Sequence, residues 1–109
     1  MVLDETLYAV KVWVDPERGQ AYINWLKGGH VAEVASAPGV IWARLIELED
    51  CAPDGWLGFL ALYAFESRQA LEAYQTSDLF RSFAPIYKEF DGVFRAERAI
   101  GEVVEYHGR

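Results

Sequence analysis

Apolar and polar positions alternate along this chain in a way that predicts four strands and two helical segments. The predicted strands cover residues 7–14, 40–49, 56–66 and 93–106. The third strand is apolar at nearly every position, which is the pattern of a strand buried on both faces. Apolar residues at helical spacing predict helices over residues 17–27 and 67–90, so the order is β-α-β-β-α-β. That order is the ferredoxin-like split βαβ arrangement, a four-stranded antiparallel sheet with both helices on one face.

The first helix carries its own start and break signals. Asp15 is placed to cap it, with Pro16 at the first helical position. Gly28 and Gly29 interrupt it, because each glycine costs a helix about 1 kcal/mol relative to alanine. We therefore predict a kink at His30, followed by a second, offset helical turn.

The second helical segment contains a long apolar stripe and several breaks. Ser67 is expected to cap it, a break is expected near Ser77 and Asp78, and Pro85 is expected to kink or restart it. The stripe includes Phe80, Phe83, Tyr87 and Phe90. Its helical spacing predicts packing against the sheet, with no catalytic role.

The second and third strands carry large apolar residues on both of their faces. These residues are Trp42 and Ile46 against Ile41 and Leu45, and Phe59, Tyr63 and Phe65 against Leu60 and Leu62. Helices on one side of the sheet leave the other side bare, so its apolar residues need a cover. A second copy of the chain, packed sheet against sheet, is the simplest cover, and we expect a homodimer.

Composition indicates one domain with apolar surface to spare. A chain of 109 residues can bury one core, so residues 1–109 are expected to form a single domain. Apolar residues make up 52% of it, including four Trp, six Tyr and six Phe. So many aromatic residues in a small domain indicate a covered sheet, a subunit interface, an apolar pocket or a mixture of these.

Charge and cysteine content exclude several classes of protein. A net charge of −7 without a basic run argues against a nucleic-acid partner. The longest uncharged run, residues 55–65, is about half the roughly 20 residues that span a membrane. The first residues resemble no secretory signal, and Cys51 alone cannot form an intrachain disulfide, so a cytoplasmic location is expected.

Two segments resemble known families. Residues 25–30, Trp-Leu-Lys-Gly-Gly-His, followed by Pro38-Gly39-Val40, are similar to the aromatic–spacer–His and Pro-Gly segment of EthD-like proteins. Residues 65–77 resemble the junction of the third strand and second helix in the same proteins. The chain is therefore identified as a member of the dimeric α+β barrel superfamily, which also includes antibiotic-biosynthesis-type monooxygenases and muconolactone-type isomerases. That resemblance implies a scaffold but does not choose among its activities.

His30 is the candidate catalytic residue. A neutral imidazole at a kinked helix junction near Trp25 can act as a general acid or base near neutral pH. The resemblance implies that the matching histidine lies beside the pocket. The alternative is a structural histidine that ties unpaired carbonyls of the kink to the next strand.

Aromatic and basic residues in the predicted strands are the candidate ligand-binding groups. The candidates are Trp13, Trp25, Trp42 and Tyr63 as pocket walls and Arg44 as the anchor of an anionic group. Lys11, Arg95 and Arg98 are further cations on strands that could converge with Arg44. The alternative use of all four is pairing with acidic residues on neighbouring strands or on the partner subunit.

Dedicated metal and cofactor sites are not expected. The two histidines, His30 and His107, lie 77 positions apart, and Cys51 has no second cysteine near it. The resemblance leaves haem conceivable with His30 as a ligand, but the Asn–Trp–His constellation of haem-degrading relatives has no match here. Glycine patterns that bind nucleotide phosphates are also missing.

Together these features predict a homodimeric enzyme acting on a small apolar compound of an aromatic or polyketide-like kind. Its chemistry is expected to be cofactor-independent and of the isomerase, cyclase or monooxygenase type, with His30 as the acid/base. The alternative is a non-catalytic homodimer that binds a small ligand or serves as an accessory protein.

Overall fold

The computed structural model describes residues 5–108, and it confirms the predicted order of strands and helices. Strands β1 to β4 span Thr6–Val14, Val40–Glu47, Leu57–Phe65 and Phe94–Glu102. Helices α1 to α5 span Gln20–Trp25, Val31–Ala35, Arg68–Gln75, Asp78–Arg81 and Ala84–Glu89, and a kinked turn, Leu26–His30, joins α1 to α2. Residues 1–4, on which the expectation of no signal segment rests, lie outside the described residues. Within residues 5–108, no helix is long and apolar enough to cross a membrane.

The four strands pair antiparallel in the order β2-β3-β1-β4, so β2 and β4 are the edges. The side that packs against the helices, the helix face, carries Tyr8, Val12, Phe59, Tyr63 and Ala96. The opposite side, the open face, carries Trp13, Trp42, Arg44, Leu60 and Leu62. The ferredoxin-like arrangement that the pattern predicts, with helices on one face of the sheet, is confirmed.

Two adjoining clusters of buried side chains hold the helices on the helix face. One cluster contains Tyr8, Val34, Tyr63, Phe65, Leu71, Tyr74 and Phe83. The other contains Val12, Val14, Tyr22, Ile23, Leu26 and Phe59. Each large apolar side chain contributes about 1.5–3 kcal/mol by leaving water, so the aromatic residues stabilise this layer strongly.

The first helix begins later than the sequence predicts. The Asp15 carboxylate accepts hydrogen bonds from the backbone N–H groups of Glu17 and Arg18, at 2.9 and 3.2 Å. These bonds stabilise a turn, and α1 begins only at Gln20, so Asp15 is not the helix cap. An aspartate before Pro16 can stabilise a turn as well as a helix start, and the turn is what forms here.

The predicted kink is present between α1 and α2. Gly28 has φ −91° and ψ 15°, and Gly29 has φ 132° and ψ −5°. A φ of 132° is accessible to glycine and strained for any residue with a side chain, which explains Gly29 at this position. Helical geometry resumes at His30, so the kink sets the direction in which the imidazole leaves the backbone.

The second helical segment is divided as predicted. Ser67 and Ser77 cap α3 and α4, each accepting a hydrogen bond from the backbone N–H three residues later, at 3.1 and 3.2 Å. Pro85 lies in the first turn of α5, where its missing N–H costs nothing. Three short helices therefore replace one long helix over this part of the sheet.

A bulge in β2 changes one predicted strand face. Val40 pairs with Phe65 and Trp42 pairs with Ala64, so Ile41 is the extra residue and is 51% exposed. Val40 therefore packs with the helix-face cluster, whereas strict alternation through the predicted strand 40–49 places it on the same face as Trp42.

Candidate functional site

A small cavity lies between the helix face of the sheet and the helices. Its volume is about 30 Å³, enough for one or two water molecules. Its polar lining consists of His30, Arg98, Tyr8, Tyr22, Tyr63, Tyr74 and Tyr87. The rest of the lining is aliphatic or phenylalanine, so the tyrosine hydroxyls, the imidazole and the guanidinium are the groups that can do chemistry there.

His30 is held in this layer by aromatic contacts on two sides. Its ring stacks on the indole of Trp25 with centroids 4.1 Å apart, and the ring of Phe83 meets it edge-on at 4.5 Å. The side chain is buried, with 7% of the residue exposed. Among residues 5–108, its Nδ1 is the one fully buried side-chain nitrogen or oxygen that has no hydrogen-bond partner.

Burial sets the protonation state of the cavity groups. It lowers the pKa of His30 from the ordinary 6.5 to about 4, so the imidazole is neutral at pH 7. Burial also raises the pKa values of Tyr22, Tyr63 and Tyr74 above the ordinary 10. These hydroxyls stay protonated and can donate hydrogen bonds, while the imidazole can accept a proton.

Arg98 lies at the outer end of the cavity. It belongs to edge strand β4, and its residue is exposed to solvent although it lines the cavity. Its Nε donates a hydrogen bond to the hydroxyl of Tyr8 at 3.1 Å, and the Tyr8 ring stacks on that of Tyr63. Tyr87, half-buried on α5, also lines this end of the cavity. The cavity therefore approaches the surface between β4 and α5.

The structure brings together some of the predicted site residues and separates others. His30 and Tyr63 line the cavity, and Trp25 lies behind the imidazole. Trp13, Trp42 and Arg44 lie on the open face of the sheet. The expectation of one site shared by His30 and Arg44 therefore needs correction, because side chains alternate along a strand and Ala43 and Leu45 take the helix-facing positions of β2.

On the open face, the predicted cations rest on tryptophan rings. The Arg44 guanidinium lies 5.2 Å from the ring centroid of Trp42, and the Lys11 ammonium lies 4.7 Å from that of Trp13. Arg95 lies 4.8 Å from the ring centroid of Trp56 and also forms a salt bridge with Asp54 at 2.9 Å. Arg98 alone of the four strand cations proposed from the sequence faces the helices.

The sequence contained a signal that Arg98 lies on the face of the sheet that lines the cavity. Alternation along β4 groups Arg98 with Phe94 and Ala96, two residues suited to a core-facing position. Tyr87 belongs to the helical stripe to which the pattern assigns only packing, yet it lines the cavity. A cation placed among core-facing positions is the feature that identifies this end of the site.

Cofactor binding finds little support in the described residues. Within residues 5–108, no three His, Cys, Asp or Glu side chains are grouped so that they could hold a metal ion.

The fold is the ferredoxin-like α+β arrangement that the sequence pattern predicts, with a small cavity between its sheet and helices. Residues 5–104 match a domain of unknown function, DUF4286, and the chain belongs to that family. No match to a curated protein was found.

Solved structures share this fold over nearly the whole chain. A dimeric ferredoxin-like protein from an uncultured marine organism is similar with a TM-score of 0.73 and 13% identity, covering 94% of this chain and 98% of that one. An EthD family protein from Bacillus halodurans gives a TM-score of 0.63 and 13% identity, with 86% and 96% covered. SnoaB, a cofactor-independent oxygenase from Streptomyces nogalater, gives a TM-score of 0.61 and 14% identity, with 97% and 94% covered. At these identities the similarity shows the fold alone.

Proposed function

We propose that this protein is a small-molecule enzyme whose site is the cavity between sheet and helices. Its chemistry is cofactor-independent and of the isomerase, cyclase or monooxygenase kind, with His30 as the acid/base. SnoaB, a cofactor-independent oxygenase on the same fold, supports this class of chemistry.

The observation that carries the proposal is the unpaired, buried Nδ1 of His30. A buried polar atom without a partner costs about 1–3 kcal/mol of folding free energy. A phenylalanine of similar shape would fill the space between Trp25 and Phe83 without that cost. An imidazole kept there at a loss of stability, in a cavity with other polar groups, is typical of a functional group.

The cavity groups suit proton removal from a weakly acidic carbon next to a carbonyl. With its own proton on Nε2, the neutral imidazole accepts the substrate proton at Nδ1, and the electron pair of the broken C–H bond moves into an enolate. The enolate oxygen can accept hydrogen bonds from tyrosine hydroxyls. Returning the proton to a different carbon completes an isomerisation.

The lining favours a flat, apolar substrate of an aromatic or polyketide-like kind. The cavity of about 30 Å³ must widen to admit one. Phe80 and Tyr87, both half-buried on the short helices α4 and α5, border the end nearest the surface. Rotation of these side chains is the smallest movement that opens it.

We also propose that two chains associate through their open faces. Trp42, Leu60 and Leu62 are only partly covered there, and Ile46 is 39% exposed. A neighbour described as a dimeric ferredoxin-like protein supports this assembly. Trp13, Trp42 and Arg44 are then interface residues.

A non-catalytic ligand-binding protein is the second candidate, and the pKa of His30 favours it. A pKa of about 4 makes the imidazole a weak base at pH 7 unless a bound ligand raises that value. In that case the cavity binds its ligand without turnover.

Three measurements test the proposal. Mass spectrometry and a visible absorption spectrum of the purified protein identify any compound that co-purifies. Deuterium exchange at the carbon next to the carbonyl of α-tetralone, followed by NMR in D₂O, then tests proton abstraction. Exchange catalysed by the wild type and lost in His30→Phe supports the enzyme. Binding of α-tetralone without exchange supports the binding protein, and absence of both binding and exchange contradicts the cavity as a site for such compounds.

A further inference from the structure

We propose that Arg98 and Tyr8 form an anion-binding subsite at the outer end of the cavity, and that the natural ligand is a small aromatic carboxylate. This inference rests on the proposed function, because it concerns the same cavity. It adds the chemical class of the ligand and the direction in which the ligand lies.

The first support is the position of Arg98 in the sheet. It is paired with Val10 of β1, and its nearest neighbours on the same face of β4 are Ala96 and Ile100, which pair with the buried Val12 and Tyr8. A guanidinium therefore stands in a row of core-facing positions. Because its residue is exposed while Tyr8 is only 3% exposed, the pair reaches from solvent into the buried layer.

The second support is the absence of a carboxylate partner. Four other arginines are paired with acids: Arg18 with Asp15, Arg68 with Glu72, Arg81 with Asp78 and Arg95 with Asp54. In the part of the chain that the structure describes, no carboxylate is paired with Arg98, although the net charge of the protein is −7. A cation at a cavity mouth in an acidic protein, left without an acid, is suited to an anionic ligand.

The third support is the set of donors that the pair presents. The Arg98 Nε–H is donated to the Tyr8 oxygen at 3.1 Å, which fixes the guanidinium plane. The Tyr8 hydroxyl accepts that bond, so its own proton remains available to donate. The Arg98 guanidinium also interacts with the Tyr87 hydroxyl. Its remaining N–H groups and the Tyr8 hydroxyl match the two oxygens of a carboxylate, which guanidinium binds in a planar, bidentate geometry.

The positive charge of Arg98 also acts on other tyrosine hydroxyls that line the cavity. Burial raises the pKa values of Tyr22, Tyr74 and Tyr87, and the positive charge of Arg98 acts against that rise at all three. The same field favours a negative charge on a bound ligand. A carboxylate at Arg98 leaves the aromatic body of the ligand directed inward, toward His30.

An NMR titration of the labelled protein with benzoate and with benzamide tests the subsite, because the two compounds have nearly the same shape and differ in charge. Chemical shifts of the backbone amides at pH 7 report both affinity and location. The variants are Arg98→Gln, Arg98→Lys and Tyr8→Phe. Arg44→Gln is the matched control, since no carboxylate within residues 5–108 forms a salt bridge with Arg44 either, and Arg44 lies on the open face. The spectrum of each variant shows whether the fold is retained.

We expect benzoate to shift cavity residues of the wild type and to bind more tightly than benzamide. Arg98→Gln should raise the Kd for benzoate by roughly 10- to 100-fold, the loss typical of a charge-assisted hydrogen bond. The Kd values of Arg98→Lys and Tyr8→Phe for benzoate should lie between those of the wild type and Arg98→Gln. Arg44→Gln should bind benzoate as tightly as the wild type does. Benzamide binding should be unchanged in Arg98→Gln.

Three results would overturn the subsite: equal affinity for the two compounds, benzoate binding unaffected by Arg98→Gln, or shifts confined to the open face. If both compounds bind in the cavity with equal affinity and His30-dependent exchange of α-tetralone persists, the subsite fails and the proposed function stands. If neither compound shifts a cavity residue and exchange is absent, both proposals fail.

Discussion

The indole of Trp25 and the imidazole of His30 stack with ring centroids 4.1 Å apart and planes inclined by 28°, across a turn of the chain that is neither α-helix nor loop. Residues five apart do not face each other on a regular α-helix. The kinked turn Leu26–His30, with Gly29 at φ 132°, brings them together. Backbone geometry at one glycine therefore determines where the candidate acid/base lies.

Replacement of His30 by phenylalanine should separate function from stability. Phenylalanine keeps a ring between Trp25 and Phe83 and removes the unpaired Nδ1, so we expect the free energy of unfolding to rise by about 1 kcal/mol. Urea unfolding measures this, and α-tetralone exchange should be lost in the same variant. His30→Ala is the control, since the cavity it leaves should cost roughly 2–4 kcal/mol. A less stable His30→Phe protein would mean that the imidazole makes a stabilising bond.

The pH dependence of stability should carry the signature of His30. Its pKa is about 4 in the folded protein and near 6.5 when unfolded, so between these values the unfolded chain binds a proton that the folded chain does not. The stability due to the neutral imidazole is therefore complete above pH 6.5 and is lost as the pH falls toward 4. The carboxylates titrate in the same way in His30→Phe, which lacks the imidazole. Over this pH range the free energy of unfolding should therefore fall on the order of 3 kcal/mol further in the wild type than in His30→Phe. Parallel stability curves for the two proteins over this range would contradict the low pKa.

The two glycines of the kink offer a matched pair of substitutions. Gly29→Ala places a side chain at φ 132° and should cost about 1–3 kcal/mol. Gly28→Ala is the control, because its φ is −91° and, among the described residues, no atom from a distant part of the chain lies within 4 Å of the added Cβ. Since Gly29 sets the approach of Trp25 to His30, only Gly29→Ala should also change the tryptophan fluorescence. Equal effects of the two substitutions would show that the left-handed backbone is not required.

Much of this fold could be predicted from the sequence because a two-residue period is a strong signal. The opposite faces of β1 and β4 follow directly from it, and Arg98 is grouped correctly with Phe94 and Ala96. The start of α1 could not be predicted, since Asp15 can stabilise a turn as readily as it caps a helix. Nor could the bulge at Ile41, which has no sequence signal of its own.

The candidate site was harder to predict than the fold for a physical reason. β2 carries large apolar residues on both of its faces. Alternation places Trp42 and Arg44 on one face and Ala43 on the other, but it does not show which of the two faces packs against the helices. That choice depends on the register with β3, where Ala43 pairs with Tyr63. The sequence could thus identify His30 and Tyr63 separately without showing that Arg98, and not Arg44, shares their cavity.

The open face provides the last prediction, which concerns assembly. Leu62 lies on this face in central strand β3, between Arg44 of β2 and Ala9 of β1. A lysine at that position would place a charge inside a sheet-to-sheet interface without a partner, so Leu62→Lys should convert the proposed dimer to a monomer at micromolar concentration. Light scattering measures the mass.

Ala73→Lys, on the exposed side of α3, is the control and should leave the dimer intact. Circular dichroism should show that both variants keep the fold. Because the cavity lies on the other side of the sheet, a Leu62→Lys monomer that still binds benzoate would show that the ligand site is complete within one chain. If the wild type is already a monomer, the proposed interface through the open face is wrong. Trp13, Trp42 and Arg44 then lie on a face of the sheet that no second copy covers.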